Sequence, residues 1–562
     1  MNRRQFTPQL NSVQLFALFF TAIFLLHAPL LRLPYFWDEA GYYIPAAYDL
    51  LTTGTLIPHS VPSNAHPPLP SIYLVLWWKM SAFKPAVTRI AMLLVAAFGL
   101  AAVLRLGRLV ATTNTAMAAV ALTAIYPVWF AQSSLAHSDL LAASLSLWGM
   151  FFYFRSLLGR PASADGGPIL ISKEEAAIVK RRARKDLFLS IGSFTIAALA
   201  KETAIIVPLS LAVYDAGAYA RARRSSALRW RPLLMLLAGV PLCLWFVYHR
   251  YRTGFFFGNP EYFSYNVSGT LKPLRILLAI GVRLWQVLGY MNMWVLTLAT
   301  VWAMRYPALA EKDASERPRI ALAVQYRIAA ILLGNITLFS VLGGAALARY
   351  LLVAYPLVVL IGVSTLRRRL QEWTWITGIV AAGFVLALFA YPLGFSAPED
   401  NLGYRNYVVL HKEAASRLQA HYAHARVLTA WPASDELTKP FLGYVRQPLQ
   451  IVRVEDFSYP NLQLATAAAG EFDVALLFST KPEPGASLLD RWGWWERVSS
   501  RYFGFHRDLP PSAAARMLGG QIVWQERKGN EWIAIVSFER VQNARDQAPI
   551  DVLRRAKPAL KN

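Results

Sequence analysis

Cysteine is almost absent from this sequence, because Cys243 is the single one among 562 residues. An intrachain disulfide is therefore excluded, whatever compartment the chain occupies. Charge is also scarce, since 16% of the residues are charged where a soluble domain carries about 25%. The scarcity is uneven: long apolar stretches alternate with short arginine-rich segments up to about residue 393, and a more polar sequence follows. This division predicts a membrane body, 1–393, and an extramembrane domain, 394–540, with a polar tail at 541–562.

Acidic residues are outnumbered, with 33 Asp and Glu against 57 Lys and Arg and a formal net charge of +24. A nucleic-acid partner is nevertheless not expected. The basic residues lie in short segments between apolar stretches, which is the pattern that orients a membrane protein rather than a basic binding face.

Eleven stretches of the membrane body are predicted to cross a bilayer, which takes about 20 mostly apolar residues. They are 13–33, 86–109, 114–132, 139–157, 187–200, 203–219, 232–249, 276–304, 326–345, 350–366 and 373–393, of which the fifth and sixth are short. The first stretch follows Arg3 and Arg4 but has no small-x-small cleavage site, so we interpret it as a retained span.

The excess of basic residues in alternate loops predicts a cytoplasmic N-terminus. An odd number of spans then puts the C-terminal domain outside. We expect the membrane to be the inner membrane of a bacterium, with this domain in the periplasm. The first external loop, about 34–85, contains an amphipathic stretch at 40–51 and a short apolar stretch, Pro70–Met80, that ends in Trp77, Trp78 and Lys79. Tryptophan and lysine favour the headgroup level, so this second stretch is predicted to be an interfacial helix.

The sequence after residue 394 alternates between helix and strand patterns. Buried strands are predicted at 426–431, 450–454 and 473–478, with polar helices between them, which indicates a small parallel α/β domain. The segments 521–525 and 532–538, joined through Lys528-Gly529-Asn530, are predicted to form a hairpin.

Five polar positions fall at the outer ends of the predicted spans, and a charged group there is costly unless it is paired or wet. They are Asp38-Glu39, His66, Ser138-Asp139, Lys201-Glu202 and Arg349-Tyr350. Each has an ordinary structural interpretation: a helix N-terminus, a residue before a proline turn, a helix cap, a self-paired turn and an interfacial anchor. Their joint placement favours transfer from a phosphate-linked donor, because cations can hold a departing phosphate while a carboxylate deprotonates a hydroxyl nucleophile.

These motifs also resemble a known family. Asp38-Glu39-Ala40-Gly41-Tyr42, His66-Pro67-Pro68-Leu69, the Ser138-Asp139 span opening and Arg349-Tyr350 are similar to the GT-C glycosyltransferases. The branch is the one that contains protein O-mannosyltransferases, lipid A aminoarabinose transferases and Rgt-type lipopolysaccharide glycosyltransferases. The resemblance covers 34–160 by motif and 187–366 by layout. It implies a polytopic helical fold, a polyprenyl-phosphate sugar donor and transfer at the outer membrane face, usually with inversion.

The resemblance also implies roles for individual residues. Asp38 matches the base of the first loop, and Asp139 matches a second acid, with Glu39 in support. The donor phosphate would lie near four side chains, His66, Lys201, Arg349 and Tyr350.

Two departures from the family pattern weigh against lipid A aminoarabinose transfer. Aminoarabinose transferases have Lys-Gly where this chain has Lys201-Glu202, and Ala65-His66 replaces a Glu-Lys pair. Both departures also weaken a transferred metal site, so a divalent metal cofactor stays open. The sugar stays open too, and the acceptor could be a lipid, a glycan or a protein. The alternatives from other classes are a transporter, a polymerase or ligase of polyprenyl-linked glycans, and a membrane scaffold.

Overall fold

The chain is mainly helical. A computed structural model describes residues 11–158, 172–221, 230–311, 314–391, 397–480 and 492–538. Up to residue 389 the α-helices are α1 (Ser12–His27), α2 (Ile44–Thr53), α3 (Leu69–Met80), α4 (Pro85–Val110), α5 (Thr113–Ile125), α6 (Pro127–Gln132), α7 (Ser138–Leu158), α8 (Lys173–Ala200), α9 (Ile206–Arg221), α10 (Arg231–Leu236), α11 (Val240–Thr253), α12 (Pro260–Asn266), α13 (Pro273–Leu288), α14 (Met293–Ala303), α15 (Leu322–Val341), α16 (Ala354–Arg369) and α17 (Trp373–Phe389).

All eleven predicted spans fall on helices, and the prediction of a polytopic helical protein is confirmed. Within the described ranges, seven helical segments are long and apolar enough to cross a bilayer: Ser12–Leu30, Pro85–Val110, Ser138–Leu158, Glu202–Arg221, Arg231–Thr253, Pro273–Ala303 and Leu322–Val341. Two further apolar helices, α5 and α17, are shorter. The chain is therefore a multi-pass membrane protein.

Three predicted spans differ in detail from the helices observed. The span 114–132 is interrupted where Tyr126 is extended and Pro127 begins α6, since proline starts a helix but cannot continue one. The span 276–304 is interrupted at Met291 and Asn292, both of which have positive φ. The short span 187–200 is the end of the longer helix α8, whose basic first half is started by a Ser172–Glu175 capping box.

The first loop folds as two helices that pack on each other. Glu39–Tyr43 forms a single π-helical turn that runs directly into α2, and α2 ends at Gly54, which is left-handed. The predicted helix at 70–80 is confirmed as α3, which packs against α2.

A five-stranded mixed sheet forms the core of the C-terminal region. Its strands are β1 (Arg426–Ala430), β2 (Gln450–Val454), β3 (Val474–Phe478), β4 (Gln521–Lys528) and β5 (Glu531–Ser537), in the order β2-β1-β3-β5-β4. The predicted parallel strands and the predicted hairpin are both present, but they share one sheet because β5 pairs antiparallel with β3. The accompanying helices are α18 (Gly403–His421), α19 (Ala433–Thr438), α20 (Tyr459–Ala467), α21 (Gly493–Phe503) and α22 (Pro511–Leu518). The predicted boundary at 393–394 and the tail 541–562 lie outside the described residues.

The sheet region packs directly on the first loop. The ring of Tyr48 stacks on Phe441 at 4.5 Å between centroids, and the Tyr444 hydroxyl donates to the Tyr35 carbonyl at 2.9 Å. A Cβ at Gly41 would lie 2.4 Å from the Trp431 indole, so only glycine permits this approach. The loop and the sheet region therefore enclose a shared space.

Candidate active site

A cavity of about 1250 Å³ lies between the first loop, the membrane helices and the sheet region. One part of its wall is apolar and contains Leu242, Phe246, Phe257, Leu338, Phe339 and Leu342. Another part carries the polar side chains Asp38, His66, Lys201, Glu202, Arg349 and Glu399, and the sheet region adds Trp431, Asp435, Lys439, Arg453 and Thr480. A space of this size, lined by both apolar and charged side chains, suits a ligand that has both an apolar and a charged part.

Arg349 is the centre of the polar wall. Its guanidinium contacts the Asp38 carboxylate, lies 2.9 Å (Nε to Oε1) from Glu399, and lies 3.9 Å (Nη1 to Oδ2) from Asp139. Arg349 itself is buried, whereas the Asp38 side chain is 29% exposed and borders the cavity. The structure thus brings together three residues that the sequence predicted and one, Glu399, that it did not.

Lys201 extends the cluster away from Arg349. Its ammonium donates to Asp139 Oδ1 at 2.5 Å and lies 4.3 Å from the centre of the Tyr350 ring. Tyr350 stacks on Phe339 at 5.3 Å, so the cation is held against an aromatic face. Asp139, at the start of α7, is buried and does not border the main cavity. The position of Asp139 suits holding the two cations rather than contacting a substrate.

His66 lies on the same cavity wall but pairs with a different acid. Its Nδ1 lies 2.8 Å from Glu202 Oε2, and its ring is stacked on Tyr43 at 6.3 Å. The ordinary interpretation of Lys201-Glu202 as a self-paired turn does not hold, because the two residues form separate pairs, Lys201–Asp139 and His66–Glu202.

Glu39 is not part of this cluster. Its carboxylate makes a two-point ion pair with Arg89 and accepts the backbone N–H groups of Phe36 at 2.9 Å and Ala136 at 2.6 Å. Both Glu39 and Arg89 are fully buried, and Glu39 does not border the cavity. The expectation that Glu39 contributes to catalysis does not agree with this geometry, because both of its oxygens are occupied by structural donors.

A buried pair on α13 holds the segment that delivers Arg349. Arg283 donates to the carbonyls of Phe339 at 3.2 Å and Leu347 at 2.8 Å, and Gln286 donates to the carbonyl of Ala346 at 2.5 Å. The Phe339 carbonyl belongs to the last turn of α15, and the other two carbonyls belong to the segment between α15 and α16 that carries Arg349. The pair on α13 therefore anchors this segment beside the cavity.

Glu399 is the acid that sequence reasoning missed. It follows the last predicted span, just as Asp38 follows the first, so the same criterion would have selected it. Burial raises the pKa of Glu399 to about 8, although the neighbouring Arg349 opposes this shift. Near neutral pH this carboxyl is therefore largely protonated, and the charges of Arg349 and Lys201 are balanced mainly by Asp38 and Asp139.

The acids of the cluster face cations rather than one another. Asp38 and Glu399 contact Arg349, and Asp139 contacts Lys201. Divalent metal ions are held by groups of free carboxylate or imidazole ligands, and these side chains offer no such group. The three acids of this cluster are therefore engaged with cations, and a divalent metal cofactor in the cavity stays an open expectation.

Comparison with known proteins identifies the fold. No protein-family model matches the chain, and no curated protein matches its sequence. Among solved structures, ArnT from Cupriavidus metallidurans bound to undecaprenyl phosphate aligns with a TM-score of 0.51 and 15% identity over 93% of this chain and 97% of that chain. The apo state of the same ArnT aligns with a TM-score of 0.49 and 14% identity over 93% of this chain and 98% of that chain. An oligosaccharyltransferase from Archaeoglobus fulgidus, in complex with Zn and sulfate, aligns with a TM-score of 0.40 and 11% identity over 85% of this chain and 67% of that chain.

The helical body and the C-terminal sheet region together define the fold class of the chain. The chain has the GT-C fold, with a multi-pass helical body and a small C-terminal sheet region, as the resemblance of its motifs implied.

Proposed function

We propose that this protein is a membrane glycosyltransferase that moves a sugar from a polyprenyl-phosphate donor to an acceptor hydroxyl. The observation that carries the proposal is the meeting of Asp38, Lys201 and Arg349 on the wall of one large, largely apolar cavity. A carboxylate and two cations beside an apolar space are what this transfer needs, because the donor joins a long apolar chain to a phosphate.

The apolar wall would take the polyprenyl chain, and the cations beside it would take the phosphate. Phe339 connects the apolar wall to the cations, since it borders the cavity and stacks on Tyr350 next to Lys201. Arg349 and Lys201 offer the phosphate charge-assisted hydrogen bonds, with His66 at the same wall. The likeness in fold to ArnT bound to undecaprenyl phosphate supports this choice of donor.

Asp38 is the base in this proposal. The acceptor oxygen attacks the anomeric carbon as its proton passes to Asp38, a new carbon–oxygen bond forms, and the bond to the phosphate oxygen breaks. Attack from the face opposite the phosphate inverts the anomeric centre. The phosphate leaves as an anion next to Arg349 and Lys201, so no strong general acid is required.

Binding of the donor also changes the state of Asp38. In the structure the Asp38 carboxylate is occupied by its contact with Arg349, so the oxygen that would accept the proton faces a cation rather than the acceptor. A donor phosphate competes for the same guanidinium and would release Asp38 towards the acceptor. The base becomes effective when the donor is present, which limits unproductive reactions of the empty site.

The proposed location follows from the predicted topology. All residues of the cluster belong to the outer ends of predicted spans, so transfer takes place at the outer face of the membrane. We infer the inner membrane of a bacterium, with the sheet region in the periplasm, and an acceptor that is an envelope lipid, glycan or protein.

The rival functions differ in the position of their charges. A transporter holds its charged site near the bilayer midplane, between repeats. Here Asp38, Lys201 and Arg349 lie at helix ends, next to the first loop and the sheet region. A glycan polymerase or ligase would use the same kind of donor, and a scaffold would use none.

Turnover of donor by the purified protein tests the proposal. Detergent-solubilised protein is incubated with polyprenyl-phosphate sugars and an envelope extract that supplies acceptor hydroxyls, and release of polyprenyl phosphate is measured by mass spectrometry. We expect turnover, and we expect Asp38→Asn to lower it by about 10²–10⁴-fold. The matched control is Glu261→Gln, an acid on the same cavity wall that lies outside the ion-pair cluster, which should keep wild-type turnover.

Two outcomes would contradict the proposal: no turnover of any polyprenyl-phosphate sugar, or full turnover by the Asp38→Asn variant.

If turnover is found, a second experiment identifies the sugar and the acceptor. It compares envelope lipids, glycans and proteins by mass spectrometry, from cells that carry either the wild-type or the Asp38→Asn copy.

A further inference from the structure

Three ligand-type side chains meet on the sheet region, outside the ion-pair cluster. They are Asp456, which follows β2, and His506 and Asp508, which lie between α21 and α22. One ligand atom from each lies within 4.8 Å of the other two. All three side chains are half-buried, and they come from two segments of the chain that are about fifty residues apart.

Asp456 is oriented by its own backbone turn. Its Oδ1 accepts the backbone N–H of Ser458 at 2.9 Å and the side-chain amide of Asn461 at 2.8 Å. These two donors occupy one oxygen and fix the carboxylate plane. The other oxygen, Oδ2, is directed at His506 Nε2, at 3.1 Å.

Asp508 is oriented in the same manner by Thr480. Its Oδ2 accepts the backbone N–H of Thr480 at 3.3 Å and also the threonine hydroxyl. Its Oδ1 is buried and has no hydrogen-bond partner among the described residues, in a side chain that is only 9% exposed. That oxygen lies 3.9 Å from His506 Nε2. A buried carboxylate oxygen without a donor is costly, so its position calls for a cation.

We propose that Asp456 Oδ2, His506 Nε2 and Asp508 Oδ1 bind a divalent transition-metal ion of the zinc class. One imidazole with two carboxylates is a nitrogen and oxygen donor set that suits Zn²⁺, whereas Ca²⁺ and Mg²⁺ prefer oxygen alone. Ser458, Asn461 and Thr480 hold the ligands, as donors around bound metals do.

The metal would tie the 504–510 segment to the ends of two strands. The backbone N–H of Leu509 already donates to the Phe457 carbonyl at 2.9 Å across the same junction. Thr480, which holds Asp508, also borders the large cavity. The ion would therefore order one wall of the cavity without contacting the reacting groups.

This inference does not depend on the proposed function, because metal binding is measured without any donor. Untagged full-length protein in detergent is stripped with a chelator, dialysed against Zn²⁺, and analysed for bound metal per chain by elemental mass spectrometry. We expect one tightly held Zn²⁺ in the wild type. Asp456→Asn and Asp508→Asn should each weaken binding by at least about 100-fold, and Thr480→Val by about 10–100-fold.

Matched controls separate this site from other imidazoles and acids. Glu455→Gln removes an exposed acid next to Asp456 and should retain the metal. The double variant His66→Ala, Glu202→Gln removes the pair in the large cavity and should also retain it.

Three results would overturn the proposal: no bound metal in the wild type, unchanged affinity in both aspartate variants, or loss of the metal in the His66 and Glu202 variant alone.

Discussion

Asp38 and Glu39 are neighbours in the chain, yet they belong to two different kinds of ion-pair network. Glu39 is fully buried with Arg89, and its two oxygens receive four donors from Arg89, Phe36 and Ala136. Asp38 is partly exposed to a large cavity and shares Arg349 with Glu399 and Asp139. One network is closed to the cavity, whereas the other borders the cavity and places one guanidinium beside three carboxyl groups.

The difference explains which network can receive a ligand. A matched, closed pair has no unused donor, so a ligand could enter only by breaking it. In the open cluster the Arg349 guanidinium is shared among three acids. One of these acids can be replaced by a ligand, because the guanidinium keeps its contacts with the other two. The helical turn that starts at Glu39 is fixed by the closed pair, and that turn presents Asp38 to the cavity. The closed network is therefore a support for the open one.

Glu39→Gln gives the largest expected effect, and the effect is on folding. Removing one charge leaves Arg89 buried without its partner, which costs about 3–5 kcal/mol of unfolding free energy. Thermal and chemical unfolding of the purified protein measure this loss. The control Glu311→Gln breaks an exposed pair with Arg367 and should cost less than about 1 kcal/mol. A Glu39→Gln variant with wild-type stability and no turnover would instead place Glu39 in the catalytic machinery.

Arg349→Lys tests the open network and should act on turnover. Lysine keeps the charge but cannot contact Asp38, Glu399 and Asp139 from three directions with one planar group. We expect donor turnover to fall by about 10²–10³-fold, with unfolding free energy changed far less than in Glu39→Gln. Steady-state turnover and unfolding are measured on the same preparation. Equal losses of stability in both variants would erase the distinction between the two networks.

Much of the fold was predictable because its signals are local. Apolar runs gave the helices of the membrane body, and three buried runs gave β1, β2 and β3. The pairing of β5 with β3 was not predictable, since it depends on contacts about sixty residues apart. The breaks at Pro127 and Met291 lie inside apolar runs, where hydrophobicity alone does not distinguish one helix from two.

The site was predictable in part for the same reason. Asp38, Asp139, Lys201 and Arg349 stand at span ends, and the structure brings them together. The role of Glu39 was not evident, because its partner lies fifty residues away inside a predicted span. A charged Arg89 within an apolar span was a usable signal, since such a group needs a buried partner.

Glu399→Gln should change how stability depends on pH. The pKa of Glu399 is about 8 in the folded protein and near 4.5 in the unfolded chain. Between these two pH values the folded protein keeps the proton of Glu399, whereas the unfolded chain has lost it. Stability contributed by the protonated group is therefore complete below about pH 4.5 and is lost as the pH rises towards about 8. Relative to Glu399→Gln, the wild type should lose stability as the pH rises through this interval, and the variant should not show this loss. Unfolding curves recorded at about pH 5, 6, 7 and 8 check this, and parallel profiles for the two proteins would contradict it.

His66→Gln should have the smallest effect, and it separates binding from chemistry. The imidazole contacts Glu202 at the edge of the open network and does not touch Arg349 or Asp38 in the structure. Glutamine keeps a hydrogen-bond donor to Glu202 but removes a group that can be charged beside the donor phosphate. We expect KM for the donor to rise about 10-fold while kcat changes by less than about threefold, because the lost contact is made equally to bound donor and transition state. A fall in kcat as large as that of Arg349→Lys would mean that the open network extends to His66 and that its chemistry is not confined to Asp38 and Arg349.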